Sequence, residues 1–294
     1  MAVTTPPRRL DAGTLLIFAA CTLLAAGNFI AVRYSNVDLA PLWGAGLRFG
    51  LAALSFTVLV PLIGAKWVAR ADLRLTVAYG LLNFAAFYAL MYWALLHVTA
   101  ATGSVMVGTV PLLTLFFAAA QRLERLSSRT ILGATLALAG VAWMAASSGA
   151  IAAEPLTFVA LLLAAGCLAQ SIIVSKRISH NHPAALNALG MGLGAAVLLL
   201  LSRVAGEPWA LPTSRSSIIA VVYLVTFGSM GLFGLTILLL RRWSSSASAY
   251  ALVIVPLVTV ALETLITRAP VLVGTVIGAV LVLLGTWFGA LRQR

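Results

Sequence analysis

The sequence predicts an all-α polytopic membrane protein with ten transmembrane helices, arranged as two inverted repeats of five helices each. Three observations predict this fold. Apolar residues make up 62% of the 294 positions and charged residues only 9%, whereas a soluble domain carries about 25% charged residues. The apolar residues form ten runs, most of them close to the roughly 20 residues that cross the hydrocarbon core of a bilayer. Pairs of identical residues also recur at a fixed spacing along the chain.

The ten predicted spans follow from dividing the sequence at charges, prolines and polar clusters. The first apolar run, 15–32, has the full length of a span, so we interpret it as a retained first helix and not as a signal peptide. The predicted spans are centred near Leu23, Ser55, Phe84, Val110, Leu138, Cys167, Gly192, Thr226, Val255 and Ile277.

The basic residues predict the orientation of the chain. If the N-terminus is cytoplasmic, 14 of the 19 Lys and Arg residues fall in cytoplasmic loops and termini, four fall in outer loops, and Arg48 lies inside the second span. This excess predicts that both termini are cytoplasmic. The net charge of +12 is therefore interpreted as a topology signal and not as a nucleic-acid-binding surface. Cys21 and Cys167 each lie within an apolar run, and neither a disulfide nor a metal site is predicted.

An internal repeat divides the chain into two predicted domains, residues 1–148 and residues 149–294. Because each contains an odd number of spans, the second must enter the membrane in the opposite orientation. Three pairs of identical residues are 145 positions apart (256 − 111 for the first): Pro111 and Pro256, Gly133 and Gly278, and Gly140 and Gly285.

The prolines of this repeat predict interruptions in the fourth and ninth spans. Pro111 and Pro256 lack an N–H group and clash with the carbonyls of Val107 and Leu252, four residues earlier. At membrane depth such backbone is tolerated beside neighbouring protein or a water-filled cavity. Two related interruptions therefore predict a central cavity between the halves. The alternative is that each proline only curves a packed helix.

Neutral polar residues inside the spans predict the lining of this cavity. They suit a neutral or zwitterionic solute, and Asn28 and Gln170 place an amide at matching positions of the first and sixth spans. The alternative for each residue is a hydrogen bond between helices. The predicted lining comprises Asn28, Tyr79, Asn83, Ser104, Thr109, Gln170, Tyr223, Thr226 and Tyr250.

Two ionisable residues, Arg48 and Glu263, lie within predicted spans. An ionisable side chain at the centre of a span costs about 2.5 to 3.5 kcal/mol on insertion scales, so both need a partner or a function. Arg48 is about 10 Å along its helix, where it either extends to the interface or acts in the interior. Glu263 is close to the outer interface and is interpreted either as a solvated carboxylate at a helix end or as a proton-coupling or cation-attracting group.

Short motifs follow one another in the first half of the chain: Arg48-Phe49, Tyr88-Ala89-Leu90-Met91-Tyr92-Trp93-Ala94, Ala100-Ala101, Pro111-Leu112, Glu124-Arg125 and Gly133 through Gly140. In order and spacing they resemble the EamA-type repeat of the drug/metabolite transporter superfamily, and the resemblance extends over the whole chain as two copies. The second copy departs from the pattern, with Ala269 at the position of Glu124 and the acidic Glu263 earlier. The resemblance implies a ten-helix exporter of amino acids and other small metabolites. The overall pattern is most similar to bacterial aromatic amino acid exporters.

We therefore expect a secondary transporter, not an enzyme, that exports amino acids across the bacterial inner membrane by alternating access. Aromatic amino acids are one candidate class, and drugs, sugars or other metabolites are the alternative substrates. The expected partners are the solute, the lipid bilayer and a proton as candidate coupling ion, without nucleic acid, cofactor or metal. An intramembrane lipid-modifying enzyme is the alternative from another class; it would need acid–base pairs or a metal cluster, for which the sequence has no motif. A channel would need rings of charged or carbonyl groups.

Overall fold

The computed structural model describes residues 12–123, 127–147, 155–242, 251–268 and 273–288, and every regular element within these ranges is helical. A 3₁₀ turn, Arg70–Asp72, precedes α3, and π-helical segments join α3 to α4 (Leu81–Ala86) and α10 to α11 (Thr226–Gly231). The α-helices are α1 Ala12–Ser35, α2 Pro41–Leu62, α3 Leu73–Gly80, α4 Phe87–Ala94, α5 Ala100–Val107, α6 Val110–Ala120, α7 Ser128–Ser147, α8 Pro155–Arg177, α9 Pro183–Val204, α10 Arg215–Val225, α11 Leu232–Arg242, α12 Ala251–Thr267 and α13 Val273–Thr286.

The predicted all-α membrane fold is confirmed by the length and composition of these helices. Seven helical segments within the described ranges are long and apolar enough to cross a bilayer, and two shorter apolar helices lie in α12 and α13. The 20-residue helix α7 accounts for the remaining predicted span. Large apolar side chains such as Leu16 and Val204 are more than 70% exposed, as expected for surfaces that contact lipid.

The most extensive helix contacts join one helix from each predicted half. Helix α2 packs along α9, α7 packs along α13, and α5 contacts α12. Small residues allow the closest approaches, because a Cβ on Gly140 would lie 2.7 Å from the carbonyl oxygen of Gly278, and a Cβ on Gly285 would lie 2.5 Å from that of Gly133. These glycines bring the backbones of α7 and α13 into direct contact.

Helix boundaries recur at nearly constant spacings along the chain. Helix α9 begins 142 residues after α2 (183 − 41), and α13 begins 145 residues after α7 (273 − 128). The two π-helical segments are also 145 residues apart (226 − 81), and each contains six residues.

The two prolines of the repeat have different effects on their helices. The fourth segment is interrupted at Gly108 and Thr109, and Pro111 lies in the first turn of α6, where its missing N–H removes no intrahelical bond. The carbonyl of Gly108 instead accepts a hydrogen bond from the Thr286 hydroxyl (2.9 Å).

The predicted interruption at Pro256 is wrong, because α12 continues from Ala251 to Thr267 with this proline inside it. A single proline removes one helical hydrogen bond, and the remaining bonds of α12 and its packing on α1 and α5 keep the segment helical. A Cβ on Gly108 would lie 3.7 Å from Cγ of Pro256. The fourth and ninth segments therefore approach each other at this level.

Candidate functional site

Two polar clusters lie in the interior of the helix bundle, each built on one of the π-helical segments. A π-helical segment widens one turn of a helix and is common at functional sites. The first, which we name the Arg48 cluster, contains Asn28, Arg48, Gly228 and Ser229. The second, the Asn83 cluster, contains Tyr79, Asn83, Ser171 and Asn187.

In the Arg48 cluster the guanidinium of Arg48 bonds to the widened turn between α10 and α11. Its Nε donates to Ser229 Oγ (3.0 Å) and its Nη2 donates to the carbonyl of Gly228 (3.0 Å). The same carbonyl accepts from Asn28 Nδ2 (3.1 Å). Arg48 is only 1% exposed, so the interpretation that it extends to the membrane interface is wrong. It is held inside because α9, α10 and α4 pack around α2.

Several polar atoms around Arg48 are buried without a hydrogen-bond partner in the described part of the chain. They are Nη1 of Arg48, Oδ1 of Asn28 and the hydroxyl oxygen of Tyr92. The guanidinium carbon instead lies 4.9 Å from the ring centre of Phe49 and 5.2 Å from that of Tyr88, within cation–π distance. Neither ion pair found among the described residues includes Arg48.

The Asn83 cluster is neutral and joins the third segment to α8 and α9. Ser171 Oγ donates to Asn83 Oδ1 (3.1 Å), and the Tyr79 hydroxyl donates to Asn187 Oδ1 (3.4 Å). Asn83 Nδ2 and the Tyr79 hydroxyl are 3.5 Å apart, at the long limit for a hydrogen bond. The predicted proximity of Tyr79 and Asn83 is thus observed, and both side chains take part in contacts between helices.

The two clusters occupy corresponding places at the 145-residue spacing, since Gly228 follows Asn83 by that number (228 − 83). The π-helical segment of the second predicted half bonds to Asn28 of α1 and Arg48 of α2. That of the first half bonds to Ser171 of α8. The two clusters are therefore arranged similarly, but the Arg48 cluster is cationic and the Asn83 cluster is neutral.

Glu263 joins three helices at one end of the bundle, which we name the Arg33 end. Its carboxylate accepts from Arg33 Nη1 (2.9 Å) and from the backbone N–H groups of Ala100 (3.0 Å) and Ala101 (2.7 Å). Its side chain is 12% exposed. The interpretation as a freely solvated carboxylate is wrong, because the N-terminus of α5 offers two unpaired N–H groups and a favourable dipole.

Two further carboxylates accept backbone N–H groups at the Arg33 end, one in the first turn of a helix and one just before a helix begins. Glu207 accepts from the backbone N–H groups of Leu42 (3.2 Å) and Trp43 (2.8 Å) in the first turn of α2. Asp38 accepts from those of Thr213 (2.8 Å) and Ser214 (2.7 Å), next to the start of α10, and these bonds hold the pKa of Asp38 below its usual value. Each of the three carboxylates reaches from one predicted half to the other.

The opposite end is joined through fewer charged groups. Gln121 Nε2 donates to Gln170 Oε1 (2.9 Å), and Arg177 Nη2 donates to Gln121 Oε1 (3.1 Å). Asp72 accepts from Asn181 Nδ2 (2.9 Å) and lies 2.7 Å from His180 Nε2. Both groups of bonds again cross between the predicted halves.

An apolar groove of about 490 Å³ lies between α1, α10 and α12. Tyr223 lines it, and the Tyr223 hydroxyl donates to the carbonyl of Leu24 (3.0 Å). A smaller pocket of about 210 Å³ adjoins it at Ile30 and Tyr34 and reaches Arg33 and Glu263.

Other predicted cavity residues do not join the clusters. Ser104 and Thr109 are buried, and their hydroxyls donate to backbone carbonyls three residues earlier. Gln170 lies apart from Asn28, and Thr226 is exposed with its hydroxyl bonded to the carbonyl of Val222. The assignment of Thr226 to the cavity is therefore wrong, because the widened turn directs Gly228 and Ser229 inward instead. Tyr250 lies outside the described residues, as do Glu124 and Arg125.

Sequence reasoning missed Ser171, Asn187 and Ser229 as members of the clusters. Asn187 is a polar residue in an apolar run, a signal that was available, and Ser171 follows directly after Gln170. Asp38 and Glu207 lie in loops, where an acidic residue gives no signal of a helix cap in another part of the chain.

The chain is similar to known membrane transporters along most of its length. The sequence model of the EamA-like transporter family matches it twice, over residues 11–146 and 156–290. The Escherichia coli K12 protein named uncharacterized inner membrane transporter YedA is 28% identical over 256 residues, which cover 82% of this chain and 79% of that protein.

Other relatives and a solved structure agree with this similarity. An uncharacterized transporter of Archaeoglobus fulgidus is 26% identical, covering 90% of this chain and 94% of the relative. The uncharacterized transporter YyaM of Bacillus subtilis is 24% identical, covering 90% and 89%. One crystal structure superposes with a TM-score of 0.67 at 19% identity over 96% of this chain and 98% of that one, a similarity of fold.

Proposed function

The chain belongs to the EamA-like transporter family, and from this membership we propose that it is a secondary transporter that exports amino acids across a bacterial inner membrane by alternating access. Within this proposal both termini are cytoplasmic, and the solute gradient or the proton gradient drives export. The observation that carries the proposal is the pair of polar clusters on the two π-helical segments, between the predicted halves. Buried polar groups at these places suit a polar solute that crosses an otherwise apolar bundle.

We also propose that the two halves, 1–148 and 149–294, are inverted copies that move relative to each other. Reciprocal contacts support this proposal. Gly140 meets Gly278, the counterpart of Gly133 at the 145-residue spacing, and Gly133 meets Gly285, the counterpart of Gly140. Such reciprocity is what a two-fold relation between two copies produces. In alternating access, inverted copies rock about a solute site between them.

Within this proposal we interpret the bonds at the Arg33 end as those of a state closed on that side. Three carboxylates join the halves there, each accepting two backbone N–H groups at a helix N-terminus. At the opposite end glutamine amides provide part of the contact. Opening the Arg33 end requires the hydrogen bonds of these three carboxylates to be released together. Glu263, paired with Arg33, is the candidate site at which a proton would couple to that release.

Amino acids, including aromatic ones, are the proposed substrates. The aromatic side chains around Arg48 support this choice, since Phe49 contacts Phe84 and Tyr88 with ring centres 5.3 and 4.4 Å apart. An aromatic lining can accept the side chain of a solute whose charged groups are held by polar residues.

The test is solute counterflow with purified protein in liposomes preloaded with unlabelled L-phenylalanine. We expect faster uptake of labelled L-phenylalanine than in protein-free liposomes, and the uptake should saturate and be competed by other amino acids. Glucose and a cationic dye serve as probes for the alternative substrates. Flux of either probe without any amino acid flux would contradict the proposed substrate class. Flux that does not saturate would contradict a carrier mechanism.

A further inference from the structure

We infer that Arg48 is the binding site for a carboxylate group of the solute, so that this transporter selects monocarboxylates with an apolar or aromatic body. The inference rests on the proposed function and adds to it the chemical group that is recognised and the residue that recognises it. Three observations lead to it: the charge balance at Arg48, the free donor on its guanidinium, and the aromatic surface beside it.

The positive charge of Arg48 has no anionic partner among the described residues. An arginine side chain remains protonated in proteins, and placing one inside a membrane span is costly. Buried charges are normally paired, yet Arg48 is in neither of the two ion pairs found in the described ranges. Its two acceptors, Ser229 Oγ and the carbonyl of Gly228, are neutral. The site therefore favours an anion.

The free donor indicates where that anion would bind. Nε and Nη2 of Arg48 are engaged, whereas Nη1 is buried with no partner in the described part of the structure. The hydroxyl of Tyr92, on the adjacent helix α4, is also buried and lies beside the Arg48 side chain without good hydrogen-bond geometry. Leaving such donors unpaired is unfavourable, and more so when the group is charged. A carboxylate has two oxygens and can accept from a guanidinium and a second donor together.

The surroundings define the rest of the ligand. One face of the guanidinium lies against Phe49 and Tyr88, and the aromatic contacts continue from Phe49 to Phe84 and from Phe84 to Phe233, with ring centres 5.3 and 5.8 Å apart. A fully hydrated inorganic anion would gain nothing from this surface, because its charge would stay beside apolar carbon. A carboxylate attached to an apolar or aromatic group matches both features.

The two acceptors of Arg48 in the widened turn are neutral and can be exchanged for a bound solute. With no solute bound, Ser229 and the carbonyl of Gly228 satisfy part of the guanidinium. A carboxylate bound at Nη1 draws the guanidinium away from these neutral acceptors, because charge-assisted bonds are about twice as strong as neutral ones. Binding would thus loosen the contact between α2 and the π-helical segment, which joins the two predicted halves.

The test measures binding to full-length protein purified in detergent, with three related probes. L-phenylalanine has both charged groups, 3-phenylpropionate has only the carboxylate, and L-phenylalaninamide has only the ammonium. We expect the first two to bind and the amide to bind at least about tenfold more weakly, the loss expected for one hydrogen bond to a charged group. This comparison uses the unaltered protein and does not depend on any variant folding.

Variants separate ligand binding from a purely structural contact. Arg48→Gln should weaken binding of 3-phenylpropionate by about tenfold or more, and Arg48→Lys should restore part of it. Arg203→Gln, at an exposed position at the end of α9, is the matched control for loss of a positive charge. Melting temperature and monodispersity identify variants that fail to fold.

The outcomes distinguish this inference from the proposed function. Equal affinity for L-phenylalanine and its amide, or full binding of 3-phenylpropionate by folded Arg48→Gln protein, would overturn the carboxylate site while leaving transport intact. Binding of carboxylates without any flux in liposomes would support the site and contradict the transport proposal. If the protein neither binds nor transports any of the three probes, both are wrong.

Discussion

At the scale of single residues, Arg48 and Gly228 determine the interior of the bundle. Gly228 has no side chain, and this allows Asn28 and Arg48 to reach its carbonyl. A Cβ at this position would overlap Oδ1 of Asn28. Glycine is needed here for space and not for an unusual backbone conformation, because Gly228 lies within a helical segment. The exposed fraction of Arg48, 1%, shows how completely the surrounding helices enclose the charge.

The first prediction concerns the space at Gly228. We expect Gly228→Ala to lower the free energy of unfolding by about 1 to 3 kcal/mol, the usual cost of an added methyl group in a packed interior. Gly234→Ala is the matched control, since a Cβ there meets no atom within 4 Å. It should leave stability unchanged or raise it slightly, because alanine favours helix over glycine. Thermal melts in detergent compare the two; equal effects would contradict the assigned role of Gly228.

At the scale of elements, interrupted and widened helices are supported by side chains of other helices. The fourth segment breaks between α5 and α6, where the Thr109 hydroxyl donates to Met106 and the Thr286 hydroxyl donates to Gly108. In lipid an unpaired carbonyl would cost several kcal/mol, so these hydroxyls make the break possible. The break thus depends on a threonine of α13 far away in the sequence.

The second prediction tests this support. Thr286→Val keeps the shape of the side chain and removes the donor to the carbonyl of Gly108, so we expect a loss of about 1 to 3 kcal/mol in stability. Thr226→Val is the control, because that hydroxyl is exposed and bonds only within its own helix. Unfolding in denaturing detergent measures both. An equal loss in the two variants would show that the contact with Gly108 has no special role.

At the scale of the whole molecule, acidic residues join the two predicted halves. All four acidic residues in the described ranges accept hydrogen bonds from the other half: Asp38, Asp72, Glu207 and Glu263. Glu207 and Glu263 bind the first turns of helices at the Arg33 end, where backbone N–H groups and the helix dipole favour a negative charge, and Asp38 binds just before α10. Each acidic residue of the described ranges therefore lies at a contact between the predicted halves.

The third prediction concerns opening at the Arg33 end. Glu263→Gln keeps the shape but removes the charge that holds Arg33 and the start of α5. We expect it to raise, several-fold, the rate at which a small anionic methanethiosulfonate reagent modifies Ser229→Cys, in a background with Cys21 and Cys167 replaced by alanine.

The control for the third prediction lies at the opposite end. Asp72→Asn, which weakens the contact with Asn181 and His180, should leave the rate of modification from the Arg33 end unchanged. An unchanged rate in the Glu263→Gln variant would show that the carboxylate contacts at the Arg33 end do not limit access of the reagent to position 229. An increase in both variants would indicate general loosening of the bundle.

The membrane fold and the positions of the spans could be predicted because they depend on composition and on runs of apolar residues, which are local properties. The partners of the polar residues could not. In a span that is apolar on every side, the sequence does not show which face is turned inward, and neighbouring residues differ by about 100° around a helix. Asn28 was therefore matched with Gln170, whereas Ser171 is the residue that reaches the cluster on the other π-helical segment.

The amino-acid sequence by itself determined that lipid surrounds this protein, where the chain crosses the membrane, and that Arg48 is exceptional, since each follows from the cost of placing polar groups in hydrocarbon. Only the tertiary structure decided that Arg48 bonds to a widened turn of the other predicted half, that Pro256 leaves its helix continuous, and that Glu263 caps a helix. These outcomes depend on the rotation and packing of helices distant in sequence, which no local pattern encodes.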